Sequence, residues 1–104
     1  MLAPRPRVLT LSAKESLILE LLTKGNRMYG LQLVAASRRR LKRGTVYVTL
    51  GRMEDKGYIT SSLEDPPSKT GGLPRRVYQP TALGLRVLAV WTSGAPVLIP
   101  EFAQ

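Results

Sequence analysis

The most prominent chemistry in this sequence comes from clustered basic side chains. Residues 24–58 contain nine lysines and arginines and two acidic residues, and residues 66–80 add three basic residues and no acid. The whole chain has a formal net charge of +9. Concentrated positive charge of this kind is typical of a surface that neutralises the phosphates of a nucleic acid. A solvated surface is the simpler interpretation of one charge run, but two separate clusters favour binding.

The residues that most enzymes use are missing from the chain. It contains no cysteine and no histidine, which excludes thiolate nucleophiles, zinc–thiolate sites and Ser–His pairs. The adjacent acids Glu54–Asp55 and Glu64–Asp65 would not face each other on a helix. We therefore expect no catalytic residues, no metal site, no cofactor and no enzymatic activity.

Length and hydropathy indicate one small globular domain. The chain has 104 residues, of which 43% are hydrophobic, enough for a single modest core. The longest apolar run, Val87–Trp91, has five residues, far fewer than the ~20 of a membrane helix. The N-terminal segment lacks the apolar region of a secretory signal, so we expect a cytoplasmic protein.

Two helices are predicted before the main basic cluster. Ser12 and Glu15 form a capping box that begins a helix over residues 12–24, and a glycine follows as its stop signal. A shorter helix is expected near residues 28–37 from the spacing of its apolar residues. The basic connection 38–43 follows it.

A third helix is predicted over residues 44–56. Val46, Leu50 and Met53 recur at helical spacing and form a narrow core stripe. Glycine inside a helix costs about 1 kcal/mol relative to alanine, so Gly51 suggests that another surface approaches the backbone there. The side opposite the stripe carries Gly44, Thr45, Val48, Gly51, Arg52 and Asp55.

The remainder of the chain is predicted to form a hairpin and a final helix. Residues 58–63 alternate with a period of two, a turn-rich segment follows, and residues 75–79 return as a strand with Tyr78 in the core. Thr81 caps the last helix, which is apolar on most sides. We expect residues 1–10 to form a short basic arm and residues 94–104 to have no regular structure.

The order helix, helix, helix, hairpin, helix predicts a mostly α fold with a small β-hairpin. This is a winged helix-turn-helix with an added C-terminal dimerisation helix. The expected division is a DNA-binding domain over residues 1–80, including the arm, and a dimerisation helix with an irregular tail over residues 81–104. Such a fold presents its third helix to the major groove of DNA.

The side chains around the third helix are the candidate DNA contacts. Arg52 can donate two hydrogen bonds to guanine, Thr45 can bond a base or a phosphate, and Val48 can touch a thymine methyl group. Tyr47 suits core packing and phosphate contact equally. The complete predicted set is Arg38, Arg39, Arg40, Lys42, Arg43, Thr45, Tyr47, Val48, Thr49, Arg52, Lys69, Arg75 and Arg76.

The last helix is predicted to join two copies of the chain. A helix that is apolar all round must be buried on several sides, and a small monomer cannot surround its own terminal helix. The predicted interface residues are Leu85, Val87, Leu88 and Trp91. The expected partners are therefore double-stranded DNA and a second copy, and a small aromatic effector stacked on Trp91 is a further possibility.

Four stretches of the chain resemble the PadR family of bacterial transcriptional regulators. They are Tyr29–Gly30, the segment Arg43–Gly57 with its Gly-Thr-Val-Tyr sequence, Gly71–Tyr78, and Thr81–Gly84. The resemblance covers roughly residues 11–92. It implies a dimeric winged helix, usually a repressor, that dimerises through its terminal helices.

Two other functions are compatible with the same pattern. A basic winged helix also binds structured RNA, although the chain has few aromatic residues for stacking single-stranded bases. A winged helix can also serve only as a protein-interaction module, which the two basic clusters argue against.

Overall fold

The computed structural model describes residues 6–65, 72–93 and 97–100. Over these residues the chain forms four helices and five short strands. In chain order they are β1 (Pro6–Leu9), α1 (Ala13–Gly25), β2 (Met28–Tyr29), α2 (Gly30–Ala36), α3 (Arg43–Asp55), β3 (Ile59–Glu64), β4 (Arg75–Pro80), α4 (Ala82–Ser93) and β5 (Val97–Pro100).

The arrangement of these elements confirms the winged helix-turn-helix fold. Helices α2 and α3 form the helix-turn-helix, and the antiparallel hairpin β3–β4 forms the wing. Strand β4 is the centre of a three-stranded sheet with the order β2–β4–β3. The turn between the wing strands, with Lys69, lies outside the described residues.

Helix α1 begins at the predicted capping box. The Ser12 hydroxyl accepts the amide of Glu15 at 3.1 Å, and the Glu15 carboxylate accepts the amide of Ser12 at 2.8 Å. These bonds satisfy two amides that have no partner inside the helix. Gly25 is the last helical residue, and Asn26 follows with a positive φ of 67° and a ψ of −67°.

The core is built between the four helices and the three-stranded sheet. Val46, Leu50 and Met53 of α3 are fully buried, which confirms the predicted apolar stripe. Tyr58 and Tyr78 are also buried, the latter as predicted from strand alternation. Burial raises the pKa of the Tyr78 phenol, and the nearby Glu54 carboxylate raises it further.

Helix α4 packs closely against the start of β3. The Thr81 hydroxyl accepts the amide of Gly84 at 3.0 Å, which confirms the predicted cap, and donates to the carbonyl of Gly57 at 2.6 Å. A Cβ atom on Gly84 would lie 2.1 Å from the carbonyl oxygen of Tyr58. The close approach of α4 to the hairpin therefore requires glycine at this position.

We expect Gly84→Ala and Gly51→Ala to change stability in opposite directions. Gly84→Ala should lower the free energy of unfolding by about 1–3 kcal/mol because the new methyl group meets backbone. Nothing lies within 4 Å of a Cβ on Gly51, so Gly51→Ala should raise it by up to about 1 kcal/mol. Urea unfolding followed by circular dichroism at one protein concentration measures both. Equal midpoints for the two variants would contradict the close approach at Gly84.

Two secondary-structure predictions were wrong. The second helix begins at Gly30, because Met28 and Tyr29 instead pair with Tyr78 and Val77 as a strand. The tail is not irregular throughout, because its β5 pairs with β1 of the arm in an antiparallel ribbon. Both errors have the same physical cause: the pairing partner is distant in sequence, so local periodicity does not report it. Of the helices in the described ranges, none is long and apolar enough to span a membrane.

Candidate nucleic-acid interface

The outward side of α3 is the centre of the candidate interface. All six residues predicted opposite the buried stripe are exposed, and we call this surface the recognition face. Val48 is 56% exposed, an apolar side chain held in solvent. The Thr45 and Thr49 hydroxyls donate back to the carbonyls of Lys42 and Thr45 at 3.4 and 3.2 Å. The recognition face therefore exposes the guanidinium of Arg52, the side chain of Thr45 and the methyl groups of Val48 to a ligand.

A tight turn presents the basic connection between α2 and α3. Buried Ser37 holds this turn: its hydroxyl donates to the carbonyl of Val34 at 2.7 Å and accepts the amide of Leu41 at 2.9 Å. Arg38 and Arg39 both adopt left-handed backbone conformations, at φ 54° and 71°. Leu41 enters the core, and every basic side chain of residues 38–43 is left exposed. The exposed charge agrees with the sequence prediction, whereas no local pattern indicates the role of Ser37 in the turn.

The two wing arginines lie on opposite faces of the hairpin, as adjacent strand residues must. The Arg75 guanidinium lies over the Tyr29 ring, 4.7 Å from its centroid. Arg76 donates from Nη1 to the Ser61 hydroxyl at 3.0 Å, and Ser61 donates to the Glu54 carboxylate at 2.8 Å. Arg76 is therefore tied to the last turn of α3, whereas Arg75 is anchored on β2.

Tyr47 packs against α2 and is still half exposed. Its ring packs on the first turn of α2, where a Cβ on Gly30 would lie 2.5 Å from the ring. The residue is nevertheless 50% exposed. Tyr47 therefore lies between α3 and the wing. One part of its ring packs against α2, and half of its surface is accessible to a ligand.

A groove, which we call the α1–α3 groove, borders α3 on the side away from Tyr47. It runs between the start of α1 and α3 and is lined by Lys14, Thr45, Val48 and Arg52, among others. At its end Lys56 donates to both carboxylate oxygens of Glu15, at 3.1 and 2.8 Å. Lys14 is not among the residues predicted from the sequence, because no local pattern places α1 beside α3.

The exposed apolar residues of α4 form the candidate dimer surface. Leu85 and Trp91 are 42% and 45% exposed, and Leu88 is half-buried against the core. The prediction for Val87 was wrong: it is 1% exposed and belongs to the core of its own protomer. A helix that is apolar all round does not reveal from its sequence which side faces inward.

The helix-turn-helix, the wing and the basic surfaces on and beside α3 define a winged helix protein of the DNA-binding class. Residues 18–90 match the transcriptional regulator PadR-like family. The chain belongs to this family of transcriptional regulators, and the resemblance read from the sequence is confirmed.

Solved structures agree with this assignment. The chain is similar to a PadR family transcription regulator from hypervirulent Clostridium difficile, with 30% identity and a TM-score of 0.67 over 80% of this chain and 86% of that one. A PadR family regulator from Eggerthella lenta has 28% identity and a TM-score of 0.62 over 76% and 70%. A PadR-like transcription factor from Bacteroides fragilis, at 23% identity and a TM-score of 0.65 over 76% of each chain, shows the shared fold. A comparison with curated proteins found no match.

Proposed function

We propose that this protein is a sequence-specific repressor that binds an inverted-repeat operator in double-stranded DNA as a homodimer. The observation that carries the proposal is the recognition face, an exposed helix surface that follows the exposed basic connection 38–43 and has the wing arginines beside it. The family supports transcriptional regulation, and the resemblance to PadR regulators is the reason for choosing repression over activation.

The recognition face reads base edges in the major groove. Arg52 donates two bonds to a guanine, Val48 contacts a thymine methyl group, and Thr45 bonds a base or phosphate. Thr49 is half-buried behind them and supports the same surface. No atom lies within 4 Å of the position of a Cβ on Gly51, so the helix backbone can approach the sugar–phosphate backbone of the DNA there.

The surrounding basic residues bind phosphates and supply affinity that does not depend on sequence. The tyrosine hydroxyl of Tyr47 joins them at the edge of the wing. The wing brings its own charges to the minor groove or its phosphates. The proposed phosphate contacts are Arg38, Arg39, Arg40, Lys42, Arg43, Tyr47, Lys69, Arg75 and Arg76.

Dimerisation through α4 gives the operator its symmetry. Leu85, Leu88 and Trp91 form the proposed interface, and a two-fold pair is the commonest closed assembly. Residues 1–80 would then bind DNA, while α4 both packs on the protomer and joins the pair. The two α3 helices enter successive major grooves about 34–36 Å apart, so the half-sites lie about one helical turn apart.

Neutralising the wing tests the DNA-binding mode. We expect the combined substitution Lys69→Gln, Arg75→Gln and Arg76→Gln to flatten the plot of log affinity against log salt by about one unit or more per protomer. Fluorescence anisotropy with duplex DNA and duplex RNA of the same sequence measures the slope. Lys24→Gln, at the far end of α1, is the control. An unchanged slope would remove the wing from the interface, and tighter binding to RNA would contradict the proposed function.

A further inference from the structure

The α1–α3 groove is continuous with the recognition face and has the charge to receive DNA. Thr10, Ser12 and Lys14 form one side of it, and Thr45, Val48 and Arg52 of α3 form the other. Lys14 is exposed, and within the described part of the chain no ion pair occupies its ammonium group.

Glu15, the acidic residue in the lining of this groove, does not repel a bound phosphate. Glu15 is 3% exposed. Its carboxylate already accepts the amide of Ser12 and the ammonium of Lys56. Arg52, which the proposed function assigns to a guanine, borders the groove, so Lys14 supplies the solvent-facing positive charge that a phosphate strand would meet here.

The dimensions of the major groove indicate that a DNA strand lies along the α1–α3 groove when α3 is inserted. The major groove is about 12 Å wide, and a helix with its side chains is about 10–12 Å across, so a helix in the groove is bordered by phosphates of both strands. Tyr47 and the wing lie on one flank of α3. The α1–α3 groove lies on the other flank.

We infer that the α1–α3 groove seats the sugar–phosphate strand on the side of the major groove away from the wing, and that Lys14 contacts its phosphates. This inference rests on the proposed function. The wing then contacts DNA on one side of α3 and α1 contacts it on the other. Contacts on both sides limit how far α3 can rotate within the major groove.

The absence of cysteine in the chain permits a site-specific test. Lys14→Cys and Lys24→Cys each introduce one thiol on the same helix, to which a DNA-cleaving iron chelate is attached. With a duplex of about 30 base pairs, long enough for two half-sites one turn apart, we expect the label at position 14 to cleave the DNA and the label at position 24 to leave it largely intact. Lys14→Gln should flatten the salt dependence by about 0.9 per protomer, and Lys24→Gln should not change it.

The outcomes separate this inference from the function on which it rests. If the unmodified protein binds duplex DNA with a salt-dependent affinity, but position 14 cleaves no better than position 24 and Lys14→Gln keeps the original slope, the α1–α3 groove is not a strand seat and the proposed function stands. If the unmodified protein shows no salt-dependent binding to duplex DNA, the proposed function fails as well. Circular dichroism of the Lys14 variants verifies that they are folded.

Discussion

Replacing Leu85 by Glu and Trp91 by Ala together is expected to yield a folded monomer that binds DNA poorly. Both side chains are about half exposed on α4, so the change removes apolar contact between protomers with little effect on the core. Leu88 is less suitable for this test because it packs partly against the core. Loss of the rigid link between two half-site contacts should weaken operator binding by about 10²–10⁴-fold.

Sedimentation and DNA binding together measure this effect. Leu31→Glu is the matched control for sedimentation alone, because Leu31 has the same 42% exposure as Leu85 but lies on α2, beside Tyr47 and the wing. Leu31→Glu should remain a dimer, whereas the α4 variant should sediment at 11.5 kDa. A single 11.5 kDa species for the unmodified protein at micromolar concentration would overturn the dimer, and a footprint over one half-site would overturn the inverted repeat.

Arg52→Ala is expected to lower affinity for the operator by about 1–3 kcal/mol and affinity for unrelated DNA by much less. The reason is that two hydrogen bonds to one base carry sequence information, whereas a phosphate contact does not. Arg52→Lys should keep the non-specific affinity and lose the preference for the operator, because lysine lacks the planar fork of arginine.

The operator for this measurement is obtained by selecting bound duplexes from a randomised pool with the unmodified protein. Equal losses of Arg52→Ala on operator and unrelated duplexes would reassign Arg52 to a phosphate. No loss on either would remove it from the interface. Arg43→Ala is the comparison variant, because a phosphate contact should weaken binding to both duplexes alike.

Local sequence patterns determined the presence and order of the four helices and the orientation of α3. The capping box at Ser12 and the cap at Thr81 each depend on residues no more than three positions apart, so they are readable directly from the chain. The burial of Val46, Leu50 and Met53 follows from helical periodicity alone. The same periodicity predicted the exposed recognition face. Four short segments were sufficient to indicate the PadR family: Tyr29–Gly30, Arg43–Gly57, Gly71–Tyr78 and Thr81–Gly84.

Only the tertiary structure decided which distant segments meet. The ion pair between Glu15 and Lys56, the pairing of β1 with β5, and the place of Lys14 beside α3 join residues that are far apart in sequence. No local preference encodes such contacts, because each depends on how the helices pack around one shared core. Val87 shows the same limit: the composition of α4 predicted burial, but only its packing on the protomer determined which apolar side chains face the core and which remain for a partner.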